Sequence, residues 1–192
     1  MKKLLFAACL LLTFGLSAQD MGTKYIGGTI GFGSTKAKAD GAEASTNWSV
    51  SPEFGYFVAE NLAVGIRLGI DGASQGDNSS SGFGADVYAR KFFSASDAFR
   101  LFVGANVGYA TSKNTTTVGG VEFDSKENHL SAFLDLGATY DLSEKWTLIG
   151  RLGTLGFSSV SDPDNDKAGS TNFGLNVNTF GNPFQVGLYY KF

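Results

Sequence analysis

The stretch Leu62-Ala63-Val64-Gly65-Ile66-Arg67-Leu68-Gly69-Ile70-Asp71 puts five aliphatic side chains on one side of an extended chain. Ala63, Gly65, Arg67, Gly69 and Asp71 fall on the other. Successive side chains of a strand point to opposite faces, so this alternation predicts a strand with two unlike surfaces. The pattern recurs along the chain. Trp48, Val50, Pro52, Phe54 and Tyr56 oppose Asn47, Ser49, Ser51, Glu53 and Gly55. Phe83, Ala85, Val87 and Ala89 oppose Gly84, Asp86, Tyr88 and Arg90. Leu101, Val103, Ala105, Val107 and Tyr109 oppose Phe102, Gly104, Asn106 and Gly108, and Leu130 to Ala138 repeats the scheme against Ser131, Phe133, Asp135 and Gly137. Three weaker segments complete the set: Tyr25 to Gly33, Trp146 to Gly153 and Phe184 to Phe192. The expectation is eight strands of about 9 to 13 residues, long enough to cross a hydrocarbon layer when tilted.

The links between these strands alternate in length. Ala59–Asn61, Ser94–Ala98 and Asp141–Lys145 are short, whereas Thr35–Ser45, Ala73–Ser81, Ser112–Asn128 and Ser158–Ser170 are long and polar. That rhythm puts the long links at one end of an up-and-down barrel. A lipocalin-like soluble barrel, apolar inside and polar outside, also alternates. Charge placement separates the two readings. Glu53, Arg67, Asp86, Arg90, Asp135 and Arg151 all share the non-aliphatic face, together with many glycines, which suits a narrow lumen braced by paired charges. The aliphatic face is nearly charge-free, and Trp48, Tyr56, Tyr109, Tyr140, Trp146 and Tyr190 lie toward its ends, where interfacial aromatics belong. The aliphatic face is therefore the lipid face.

Composition agrees. The chain has 192 residues, 26 Gly, 17 Phe and 7 Tyr, only 17% charged residues and a net charge of −3. An acidic chain of this kind offers no footing for nucleic acid. One His and one Cys exclude most zinc sites, Cys–His nucleophile pairs and disulfide frameworks. No cofactor is expected. Met1-Lys2-Lys3 followed by the apolar run Leu4 to Leu12 and a small-residue step at Ala18 reads as a secretory signal peptide over residues 1–18, cleaved to leave a barrel domain over 19–192.

The final segment, with Val186, Leu188, Tyr190 and the terminal Phe192 on one face, resembles the closing strand read by the outer-membrane barrel-assembly machinery. With the leader and eight alternating strands, the chain resembles the small outer-membrane β-barrel domain family (OmpA-, OmpX- and OmpW-like) over about residues 22–192. The resemblance implies an all-β, eight-stranded antiparallel up-and-down transmembrane β-barrel with short periplasmic turns and long outer loops. It implies the outer membrane of a Gram-negative bacterium, with lipid, lipopolysaccharide and the assembly machinery as partners. No peptidoglycan-binding domain follows the barrel, so anchoring to the cell wall is not expected.

Several segments carry a sharper reading beside a plainer one. His129 and Ser131 share a face, the minimum for an activated nucleophile, with Glu144 in a turn at the far end of the barrel; the plainer reading is a His at a loop edge. Asp162, Asp164 and Asp166 begin like a calcium loop, but Lys167 stands where glycine belongs and Phe173 where the closing Glu belongs, so a solvated acidic loop is the expectation. Lys36, Lys38, Lys113 and Lys126 in the outer links either meet lipid phosphates or are ordinary solvated charge. Thr171 to Phe192 spans roughly 70 Å at ~3.3 Å per residue, too long for one crossing. A break at Gly181-Asn182-Pro183 is therefore expected, with ten strands as the alternative to eight.

The functional expectation is a structural or interaction barrel, its lumen plugged by Glu53, Arg67, Asp86, Arg90, Asp135 and Arg151 and its outer links available for binding. A narrow channel for small ions or small hydrophobic molecules is the alternative, and a lipid A-modifying enzyme a weaker one.

Overall fold

The computed structural model describes residues 21–38, 43–163, 165–177 and 186–192. The leader over residues 1–18 and the break at Gly181–Pro183 lie outside the described residues. The strands are β1 (Lys24–Lys36), β2 (Ala44–Ala59), β3 (Leu62–Gln75), β4 (Asn78–Ser94), β5 (Phe99–Val118), β6 (Val121–Asp141), β7 (Trp146–Asp162), β8 (Asn165–Val177) and β9 (Val186–Lys191).

Each strand from β1 to β7 pairs antiparallel with the next. The eighth place in the ring is shared. β8 pairs with the outer half of β7, from Gly153 to Asp162, whereas β9 pairs with its inner half, from Trp146 to Gly150. β9 also pairs with β1, from Tyr25↔Lys191 to Ile30↔Val186, and so closes the ring.

Parity places the side chains as the alternation requires. Ile66, Leu68, Val87, Leu101, Val107 and Leu134 are exposed on the outer, lipid-facing surface, while Tyr25, Phe57, Tyr88, Phe92, Phe102, Ile149 and Tyr189 are buried within. A β-bulge explains the weak pattern of β7. Register slips between Leu136↔Gly153 and Gly137↔Arg151, so outward parity changes from Trp146 and Leu148 to Leu155 and Phe157. Arg151, 8% exposed, keeps the inward parity of Thr147 and Ile149 on the near side of the slip.

The long links differ from a loop reading. Residues 112–128 continue β5 and β6 as one hairpin, from Ser112↔Glu127 to Val118↔Val121. It is closed by Gly119 and Gly120 at φ +61° and +81°, the two left-handed positions that a two-residue hairpin turn demands. Beyond the bilayer neither face needs an aliphatic row, so the apolar period ends while the hydrogen-bonded ladder continues.

Candidate functional site

Register assembles the interior charges before any side chain is considered. Glu53 lies opposite Arg67, and Arg67 opposite Asp86, in one row across β2, β3 and β4. A second row carries Arg90 opposite Gly104 and Gly104 opposite Asp135. The glycine is required there, because a Cβ on Gly104 would fall on the Asp135 carboxylate.

The six expected residues meet in the middle of the lumen. Arg67 Nε donates to Asp86 Oδ2 at 2.9 Å, its Nη2 lies 2.7 Å from Asp86 Oδ1, and its Nη1 lies 3.6 Å from Glu53. Arg90 is completely buried. It lies 3.5 Å from Glu53 and 3.4 Å from Asp135, and donates to the Tyr189 hydroxyl at 3.1 Å. Its guanidinium carbon is 4.5 Å from the ring centres of both Tyr88 and Phe102, a double cation–π contact. Arg151 donates to Glu53 and lies 3.7 Å from Asp135. Asn106 donates to Asp135 at 3.0 Å, and the Tyr189 hydroxyl donates to Glu53 at 2.6 Å. Three guanidiniums thus face three carboxylates, a neutral set in which each carboxylate has a cation within 3.5 Å.

An aromatic layer lies on the periplasmic side of the charges. Tyr25 packs between Phe57 and Tyr189 with tilted rings at centroid distances of 5.7 and 4.8 Å, and Phe92 bridges Phe57 and Phe102 at 5.4 and 5.8 Å. The Tyr25 ring fills the space where a Gly55 side chain would be, and the Phe102 ring does the same at Gly137. A residual cavity of about 10 Å³ is lined by Tyr25, Phe57, Phe92 and Tyr189 among others. Larger cavities lie on either side. The periplasmic mouth holds about 790 Å³, bordered by Asn61, Arg100, Asp141 and Lys191. On the outer side about 360 Å³ is bordered by Gly31, Asn47, Ser49, Ser51 and Asp71.

Sequence reasoning missed the group at the periplasmic mouth. Asp141 accepts from Arg100 at 3.1 Å and from Lys191 at 2.9 Å, with Thr147 as a further donor. Arg100 continues the inward row of Phe102 and Gly104 by one step, which was the available signal. Asp141 had none, because it reads as the first residue of a turn.

His129 is not paired with Ser131. Its Nε2 lies 3.0 Å from Ser112 Oγ, across the β5–β6 ladder, while Ser131 donates to the Gly108 carbonyl. Ser112 and His129 are diagonal neighbours, opposite Glu127 and Ala110 respectively, and the long imidazole spans the gap. Glu127 approaches the same nitrogen of His129 at 3.6 Å, and Glu144 borders the cavity at the opposite mouth. Asp162 closes β7 opposite Asn165 and Asp164 lies outside the described residues. Val186, Leu188, Tyr190 and Phe192 occupy β9 and the residue after it; Leu188 is exposed on the lipid side and Tyr190 packs on Trp146 at 5.0 Å.

The family described as "Outer membrane protein beta-barrel domain" matches residues 6–192. Among solved structures, the chain is similar to the N-terminal β-barrel domain of OprF from Pseudomonas aeruginosa. The identity is 13% and the TM-score 0.51, over 91% of this chain and 100% of that one. It is similar also to Neisserial surface protein A, at 12% identity and a TM-score of 0.49, over 91% of this chain and 99% of that one. No curated protein matches the sequence.

Proposed function

The chain belongs to the outer-membrane protein β-barrel domain family, and from that premise we propose that it is a closed barrel of structural and interaction type, working through the parts it displays outside the membrane. Its place is the outer membrane of a Gram-negative bacterium. The observation that carries the closed reading is the double barrier in the lumen. A neutral network of six charges lies over an aromatic layer whose residual cavity is about 10 Å³. That is at the lower limit of what one water occupies. The paired charges and the closely packed rings both oppose a hydrated path between the two mouths.

The display side is the β5–β6 hairpin. At its tip Val118, Val121 and Phe123 are 63%, 57% and 59% exposed, apolar side chains beyond the membrane that suit contact with another molecule. Residues 1–18 would be removed on export, leaving 19–192 as the barrel. The outward row Val186, Leu188, Tyr190 and Phe192 would be the segment presented to the assembly machinery before closure. Catalysis is not part of this reading. Ser112 and His129 are in hydrogen-bond reach, but Glu127 meets the nitrogen that would have to accept the serine proton, so it competes for that atom rather than orienting the ring.

The test is single-channel recording of the mature chain, residues 19–192, in planar bilayers. The expected record is silent for protein whose folding is verified by a heat-dependent gel shift. Steady open events that change with Arg67→Ala would instead establish the channel reading.

A further inference from the structure

Outward positions above the apolar band follow an order. The last band residues on successive strands are Phe32, Trp48, Ile70, Phe83, Tyr109, Leu130, Phe157 and Phe173, all exposed on the lipid face. The first outward polar position beyond them is uncharged on each of β1 to β8: Ser34, Thr46, Ser74, Ser81, Thr111, Asn128, Ser159 and Thr171. The next outward position is lysine on β1, β5 and β6. Acids follow only farther out on the hairpin, at Asp124 and Glu122.

Two of these lysines are directly opposed. Lys113 pairs with Lys126 across the β5–β6 ladder, and Ser81 pairs with Lys113 from β4. Like charges at directly opposed positions of a ladder destabilise it, which calls for a counter-anion. Asp124 supplies part of that charge, at 2.8 Å from the Lys113 ammonium, and also accepts from Thr115 at 2.7 Å. These two bonds hold its carboxyl below the usual carboxylate range. At the level of the lysine pair two ammoniums face one carboxylate, Glu122 lying one outward position beyond Asp124, which leaves a local positive excess. A cavity of about 220 Å³ lies against it, bordered by Ser81, Phe83, Thr111, Lys113 and Lys126.

We infer that Lys113 and Lys126, with the Ser81 and Thr111 hydroxyls, form a site for the phosphate of an outer-leaflet lipid. The ligand is an amphiphile rather than a free ion because Phe83, the lower border of the cavity, belongs to the lipid-facing band. The lysine backbone lies two outward positions above Tyr109 and Leu130, roughly 13 Å along the strands. From there the flexible stems reach down to the headgroup layer. This inference rests on the outer-membrane placement of the barrel.

The experiment is titration of the folded mature barrel in detergent with bisphosphorylated lipid A, read by native mass spectrometry. Lys113→Gln combined with Lys126→Gln is expected to weaken binding about 30-fold, roughly fivefold per lysine at an anionic surface. Dephosphorylated lipid A should bind the unmodified barrel as weakly as lipid A binds the double variant, and Lys36→Gln should bind normally. Equal binding by the double variant, or indifference to dephosphorylation, overturns the site. Displacement of the lipid by millimolar inorganic phosphate overturns the lipid assignment. The gel shift on the same samples reports the barrel independently, so loss of this site and failure of the barrel reading are told apart.

Discussion

Arg90→Ala is expected to lower the stability of the folded barrel by about 3–5 kcal/mol, the usual result of removing one partner from a buried ion pair. Arg90 is fully buried, faces both Glu53 and Asp135, and lies between the rings of Tyr88 and Phe102. Its loss leaves three carboxylates, Glu53, Asp86 and Asp135, sharing Arg67 and Arg151, and a void between two rings. Urea unfolding of the mature chain in lipid vesicles measures the effect, with the gel shift reporting the folded fraction. Should the single variant not fold, the combination Arg90→Met with Glu53→Gln is informative. Removing charge from both sides is expected to recover part of the loss, since an unpaired buried charge costs more than an absent pair. An Arg90→Ala barrel with unchanged urea resistance would remove the network from any account of how the lumen is held.

The second large effect is expected at the closing seam. Gly27 lies on the inward face of β1 opposite Tyr189 of β9. A Cβ at this position would fall on the Leu188 carbonyl oxygen and come within 2.8 Å of the Tyr189 Cα. Both are backbone atoms of the strand that must dock last, so the neighbour cannot yield without breaking the ladder that closes the ring. Gly27→Val is expected to cost ~3 kcal/mol or more, cutting the folded fraction on refolding about a hundredfold when stability is marginal. Gly69→Val is the matched comparison, because a Cβ there meets open space within 4 Å. It should refold like the unmodified chain. Equal refolding of the two variants would show that the seam is looser than its glycines imply.

The alternating rows made most of the interior legible. Glu53, Arg67 and Asp86 were assigned to one face from parity alone, and register then set them side by side. The β7 pattern was faint for a physical reason: the slip at Leu136/Gly137 moves the outward set from even to odd positions, so no single parity describes Trp146 to Phe157. The projecting hairpin was illegible for another. Lys113 to Glu127 has no acyl chains on either side, so the signal that marks a strand inside the bilayer is missing where the strand leaves it. Ser112 escaped notice beside His129 because two residues from different strands meet only through the register, whereas Ser131 was visible two positions along. The Arg100–Asp141–Lys191 group draws on three strand ends, and strand ends are where pattern reading is weakest.

The neutrality of the six-charge network has an electrical consequence. A charge that moves across a membrane under an applied voltage couples to it by about 2.3 kcal/mol per 100 mV. Three guanidiniums clasped to three carboxylates present equal and opposite charges to the field, and both signs are tethered to the same wall. The force on one is cancelled by the force on its neighbour. In the closed barrel proposed above, such a network would offer no gating charge to be pulled, and a potential across the outer membrane would leave it in the same state whatever its sign.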